Sequence, residues 1–144
     1  MTHFAAMSAY SKELEIVLKK YIDGIDVDGK EELRELLQQT SSVDRYSLLM
    51  NVRAEYSGII GPHVAAKYND LETMKCLLAG FTGDQKYNVL RIQVRNGLSA
   101  LHYAATDLSI ITYLLSDLSQ QQKYNLLQLQ KYDGDTPLHY AASQ

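Results

Sequence analysis

Asp133-Gly134-Asp135-Thr136-Pro137-Leu138-His139-Tyr140-Ala141-Ala142 repeats, 37 residues on, the pattern of Asn96-Gly97-Leu98-Ser99-Ala100-Leu101-His102-Tyr103-Ala104-Ala105. Each copy reads as a turn feeding a helix. Gly134 and Gly97 supply the positive φ that a tight turn needs. Thr136 and Ser99 are N-cap residues, and Pro137 at the first helical position gives up only an amide that has no partner there. The Ala-Ala pair lets a neighbouring helix approach closely, because small side chains shorten the interaxial distance.

Moving outward, every histidine of the chain opens the same frame, His-x-Ala-Ala, at His3, His63, His102 and His139, with spacings of 60, 39 and 37 residues. A glycine stands five residues before three of them, at Gly58, Gly97 and Gly134. An apolar pair closes a helical pattern at Val17-Leu18, Leu77-Leu78 and Leu114-Leu115. A third signature follows at Arg45-Tyr46-Ser47-Leu48-Leu49, Lys86-Tyr87-Asn88-Val89-Leu90 and Lys123-Tyr124-Asn125-Leu126-Leu127. Self-similarity at such a period means units that bury their apolar faces only against one another, hence a stack.

The Thr136-Pro137-Leu138-His139 opening resembles that of ankyrin repeats, and Glu72-Thr73-Met74-Lys75-Cys76-Leu77-Leu78 is similar to the second helix of an ankyrin pair. The resemblance implies an all-α, ankyrin-type helical solenoid. The spacings exceed the usual ~33 residues, and the excess lies after the apolar pair. Thr82 to Ile92 and Ser119 to Leu129 are therefore expected to form a short extra helix in each repeat, capped by Thr82 (or Asp84) and by Ser119. The units are taken as 1–54 with an insertion at 21–42, then 55–93, 94–130 and a partial 131–144, all within one domain, 1–144. In the second unit Ile59-Ile60-Gly61-Pro62-His63 lacks the capping Thr, a loss of about 1 kcal/mol. Both ends fall inside a repeat, which leads us to expect a fragment of a longer array.

Composition narrows the function classes. Of 144 residues 46% are hydrophobic and 22% charged, as in folded chains. The net charge of −3 without a basic cluster argues against nucleic-acid partners. No apolar run approaches the ~20 residues of a membrane helix, so membrane insertion is not expected. The single cysteine, Cys76, excludes an internal disulfide and suits a cytoplasmic setting; its place in a second-helix pattern suggests a packed thiol. One histidine per layer does not surround an ion, no phosphate loop or nucleophile elbow is present, and neither catalysis nor a cofactor or metal is expected. Asp23 to Glu35 resembles a calcium loop, with Asp26, Asp28 and Glu35 at the third, fifth and twelfth positions when Gly29 is the sixth. Gly24 then occupies the place of the leading carboxylate. The alternative for this stretch is an acidic turn that caps the following helix at Asp28 or Gly29.

Tyrosine is abundant, 11 copies against two phenylalanines. Tyr46, Tyr87 and Tyr124 recur in register and read as core residues of the extra helices, whereas Tyr56, Tyr68 and Tyr132 are better placed for contact. The resemblance implies a protein partner held at the turns and first-helix ends. Carried over, the turn positions are Tyr56, Ser57, Ile59, Arg95, Asn96, Leu98, Tyr132, Asp133 and Asp135, and the helix-end positions are Lys67, Tyr68, Thr106 and Asp107. Ile59 and Leu98 are read as exposed apolar turn residues. The expected function is an adaptor or scaffold without catalysis. Two alternatives stand beside it: a regulatory segment of a larger enzyme, receptor or channel, and a calcium-responsive variant through the loop at 23–35.

Overall fold

A computed structural model describes residues 9–24 and 30–143, and among these every regular element is a helix. In chain order they are α1 (Ala9–Asp23), α2 (Lys30–Gln38), α3 (Ser42–Asn51), α4 (Gly61–Lys67), α5 (Leu71–Leu78), α6 (Gly83–Leu90), α7 (Ala100–Tyr103), α8 (Leu108–Leu115), α9 (Gln120–Leu127) and α10 (Pro137–Ala142). None is long and apolar enough to cross a membrane. Burial follows helical spacing: Leu14, Val17, Leu18, Tyr21 and Ile22 bury one face of α1 while Ile16 on the other is exposed. Leu33, Leu36 and Leu37 do the same for α2, as do Met74, Leu77 and Leu78 for α5.

The helices form three columns. First helices α1, α4, α7 and α10 stack in sequence, α2 stacks on α5, and α3 stacks on α6. This corrects the reading of 21–42 as an insertion. Residues 30–38 form the second helix of the first unit, and its apolar pair is Leu36-Leu37, not Val17-Leu18. Val17-Leu18 belongs to the buried face of the first helix α1. Leu37 precedes Tyr46 by nine residues, as Leu78 precedes Tyr87 and Leu115 precedes Tyr124, so the step from apolar pair to tyrosine is constant once the register is set by α2. His3 to Ala6, and the calcium-loop positions Asp26 and Asp28, lie outside the described residues.

The extra helix of each unit is present. Thr82 and Ser119 accept the Gln85 and Gln122 amides (3.1 and 3.0 Å), and the Gln side chains reach back to the Thr82 and Ser119 amides. These are two reciprocal capping boxes. Tyr46 and Tyr87 pack against the core, but Tyr124 is exposed, because no described helix lies against its side of α9. The turn between α4 and α5 uses Asn69 at φ 56°, whereas none of the residues between α7 and α8 has a positive φ.

Side chains tie each unit to the next in a repeated way. The buried Arg45 donates to Thr40 O (3.1 Å) within its own unit and to Cys76 O and Leu77 O (3.3 and 3.2 Å) at the end of α5. Lys86, one unit on, donates to Tyr113 O, Ser116 O and Ser116 Oγ (2.6, 2.9 and 2.9 Å) at the end of α8. The last four carbonyls of a helix have no in-helix donor, and a cation there also meets the negative end of the helix dipole. Asn88 donates to the Tyr46 hydroxyl (3.2 Å), and Asn125 to the Tyr87 hydroxyl (3.1 Å). Between the first two units Arg34 donates to Thr73 Oγ1 (2.8 Å) and Asp70 Oδ1 (2.9 Å), and the Tyr21 hydroxyl donates to Asp70 Oδ2 (3.3 Å). Burial alone would raise the Asp70 carboxyl, but hydrogen bonds from the Thr73 hydroxyl and amide and from Arg34 outweigh it and hold it below its ordinary value.

Candidate functional site

The turns that precede α4, α7 and α10 are fixed by their own backbone. Ala54 N donates to Ile59 O (2.7 Å), Val94 N to Leu98 O (2.8 Å) and Lys131 N to Asp135 O (3.0 Å). Adjacent turns are joined, Arg95 N to Ser57 O (2.8 Å) and Tyr132 N to Asn96 O (3.0 Å). Gln93 Nε2 adds bonds to Gly97 O and Gln130 O (2.8 and 2.9 Å). At Gly97 the two turns come so close that a Cβ would stand 2.6 Å from Lys131 Cα.

The histidines complete this framework. Ile60 N donates to His63 Nδ1 (3.1 Å), and His63 Nε2 lies 2.9 Å from Ile92 O in the next turn. His102 repeats both contacts, with the Ser99 amide (3.1 Å) and Asp135 O (2.9 Å). An Nδ1 that accepts and an Nε2 that faces a carbonyl describe the neutral Nε2–H tautomer. Burial, reinforced by Arg53, pushes His63 down to about 4 against the opposing Ile92 carbonyl bond, and burial also lowers His102. Where Ile60 offers no capping side chain, His63 still satisfies one amide of the helix start.

Of the residues singled out in the sequence, Tyr56 and Tyr132 are each 81% exposed at turn tips, and Tyr68 is 61% exposed at the end of α4. Lys67, Arg95, Asn96, Thr106 and Asp133 are also exposed, and Ser57, Ile59, Asp107 and Asp135 half-buried. Several have their polar atoms engaged within the chain. Ser57 Oγ and Asn96 Oδ1 accept the Ile59 and Leu98 amides (3.3 and 3.2 Å), so each closes its own turn. Asp107 is the N-cap of α8, accepting Ile110 N (3.2 Å), and Asp133 binds Lys131 Nζ (2.6 Å). Leu98 corrects an expectation: it is only 7% exposed, so it is a buried turn residue and not a solvent-facing one.

Two clefts open along the first-helix face. One, about 150 Å³, is lined by residues including Ile59, Val64, Lys67, Tyr68 and Tyr103; the other, about 240 Å³, by Lys67, His102, Tyr103, Ala105, Thr106 and Tyr140. Lys67 and Tyr103 line both. The sequence reading missed Tyr103 and Tyr140, although both follow the histidine of the repeated frame and that place is a signal. Each also meets the histidine of the preceding unit edge to face, His63 with Tyr103 and His102 with Tyr140, centroids 5.9 Å apart. Among the described residues no group of three His, Cys, Asp or Glu side chains converges as a metal site would require.

A family model described as ankyrin repeats (3 copies) matches residues 62–144. Among solved structures, a chain in the crystal structure of the yeast ribosomal protein Rps3 in complex with its chaperone Yar1 is similar, with a TM-score of 0.63 at 14% identity, over 92% of this chain and 85% of that one. No curated protein sequence matches the chain.

Proposed function

This chain belongs to the ankyrin-repeat family, and from that premise we propose that it is a protein-binding module, an adaptor or scaffold segment that holds a partner on its turns and first-helix face and performs no catalysis. The observation that carries the reading is the contrast along one edge. The backbone of the turns is bonded turn to turn, while Tyr56, Tyr68 and Tyr132 project from that edge into solvent. Rigid aromatic side chains on a fixed frame give large contact area at little entropic cost, as binding hot spots require. His63 and His102, the groups one would first suspect of chemistry, are occupied by backbone partners on both ring nitrogens. Cytoplasmic residence is proposed with this role, supported by a lone thiol with no partner for a disulfide.

Photo-crosslinking tests the assignment of the face. A crosslinking amino acid placed at position 56, 68 or 132 should capture one and the same partner in cells. The same group at Val43 or Gln121, exposed on the third helices, should not. Equal capture from Val43 and Gln121 would move the partner to the opposite side and remove the proposal.

A further inference from the structure

Few charged side chains line the two clefts of the first-helix face. Asp23 borders the first cleft, but its carboxylate is paired with Lys19 (3.1 Å). His63 and His102 are held neutral by their contacts. Asp107 is spent on the cap of α8 and Asp133 on Lys131, and neither they nor Asp135 line either cleft. Lys67 remains. It borders both clefts, it is exposed, and its one contact among the described residues is with the face of Tyr68, 5.5 Å from the ring centroid. Tyr68, Tyr103 and Tyr140 line the same clefts, and their hydroxyls have no hydrogen-bond partner among the described residues. The walls between them are Ile59, Val64 and Ala105. Among the described residues, one unpaired cation, three phenols without a hydrogen-bond partner and aliphatic walls suit a chain that alternates carboxylates with aliphatic side chains; a basic one would set its charge against Lys67.

We propose that the segment bound on this face is acidic, an extended stretch of a partner protein that sets a carboxylate against Lys67, at the junction of the two clefts, and aliphatic side chains against Ile59, Val64 and Ala105. This deepens the protein-binding reading and rests on it. The net charge of −3 favours a short acidic peptide over a polyanion, whose many phosphates would meet the acids of the rest of the surface.

Display selection of random dodecapeptides on the full chain and on K67E tests the proposal. The wild type should enrich peptides that combine Asp or Glu with Leu, Ile or Val. The K67E variant should bind those peptides about tenfold more weakly, as expected when a half-desolvated charge pair becomes a like-charge contact, and should enrich Lys and Arg in their place. Lys67 is exposed in the last turn of α4, so K67E should cost slightly in stability through the helix dipole and leave the protein folded in the thermal melt, separating binding from folding. Enriched peptides without acidic preference, or equal affinity for K67E, would overturn the acidic-segment inference and leave protein binding standing. No enrichment by either protein, or a poly-dT oligonucleotide bound by wild type and lost with K67E, would overturn both.

Discussion

Mild acid should destabilise this fold mainly through His63. In the folded chain its Nδ1 accepts the Ile60 amide, so a second ring proton would set donor against donor, and burial disfavours the charged ring in any case. Its folded value, about 4, lies below the ordinary 6.5. Between those values the unfolded chain binds a proton that the folded chain refuses. Stability is therefore complete above the unfolded value and is lost as pH falls toward the folded one. Linkage amounts to about 1.4 kcal/mol per pH unit over that interval, so about 3 kcal/mol is lost in full and about 2 kcal/mol by pH ~5. The assay is urea unfolding at pH ~7 and ~5, followed by helical circular dichroism, for the wild type and for H63Q. Gln supplies an oxygen for the Ile60 amide and an amide for Ile92 O but does not titrate. H63Q should be the less stable at neutral pH, and the gap should narrow by about 2 kcal/mol on acidification. His102 is present in both proteins, so its own contribution cancels in the difference. A gap that stays constant between the two pH values would refute the reasoning, as would a folded-state NMR titration of His63 centred at its ordinary value.

Three further outcomes follow from the packing. R45M and K86M should each lose about 2–4 kcal/mol in urea unfolding, since each leaves helix-end carbonyls short of a donor, whereas R45K, which imitates Lys86, should lose less than half of that. G97A should cost more than 3 kcal/mol, because its Cβ would meet backbone at 2.6 Å, while G58A, with nothing within 4 Å and only its φ of 76° to strain, should cost about 1 kcal/mol. L98S should lower thermal stability by about 2–3 kcal/mol as a buried large-to-small change; an unchanged melting temperature would restore Leu98 to the surface.

Much of this architecture is legible in the residues because local chemistry decides it. Thr82, Ser119, Ser99 and Thr136 announce helix starts, and each caps the helix expected of it. The first unit was harder to read. The buried face of α1 contains an adjacent pair, Val17-Leu18, that imitates the pair closing a second helix, and the stacking of α2 on α5 tells them apart. The constant nine-residue step from apolar pair to tyrosine carried the same information. The face is less legible than the fold. Whether Leu98 points in or out, and whether Asp107 is free or spent on a cap, depends on turn geometry that residue identity leaves open. Tyr103 and Tyr140 become site candidates only when successive first helices are laid side by side.

The cations at Arg45 and Lys86, and the histidine at 102, all reach in one direction, from each unit to the one that follows. No such tether spans two junctions. Drawn out from its ends, the chain would carry tension through these tethers in series, each junction bearing the whole load in turn. It would yield by separate small extensions, as a compliant spring does, and a partner clamped across one junction would stiffen that junction alone.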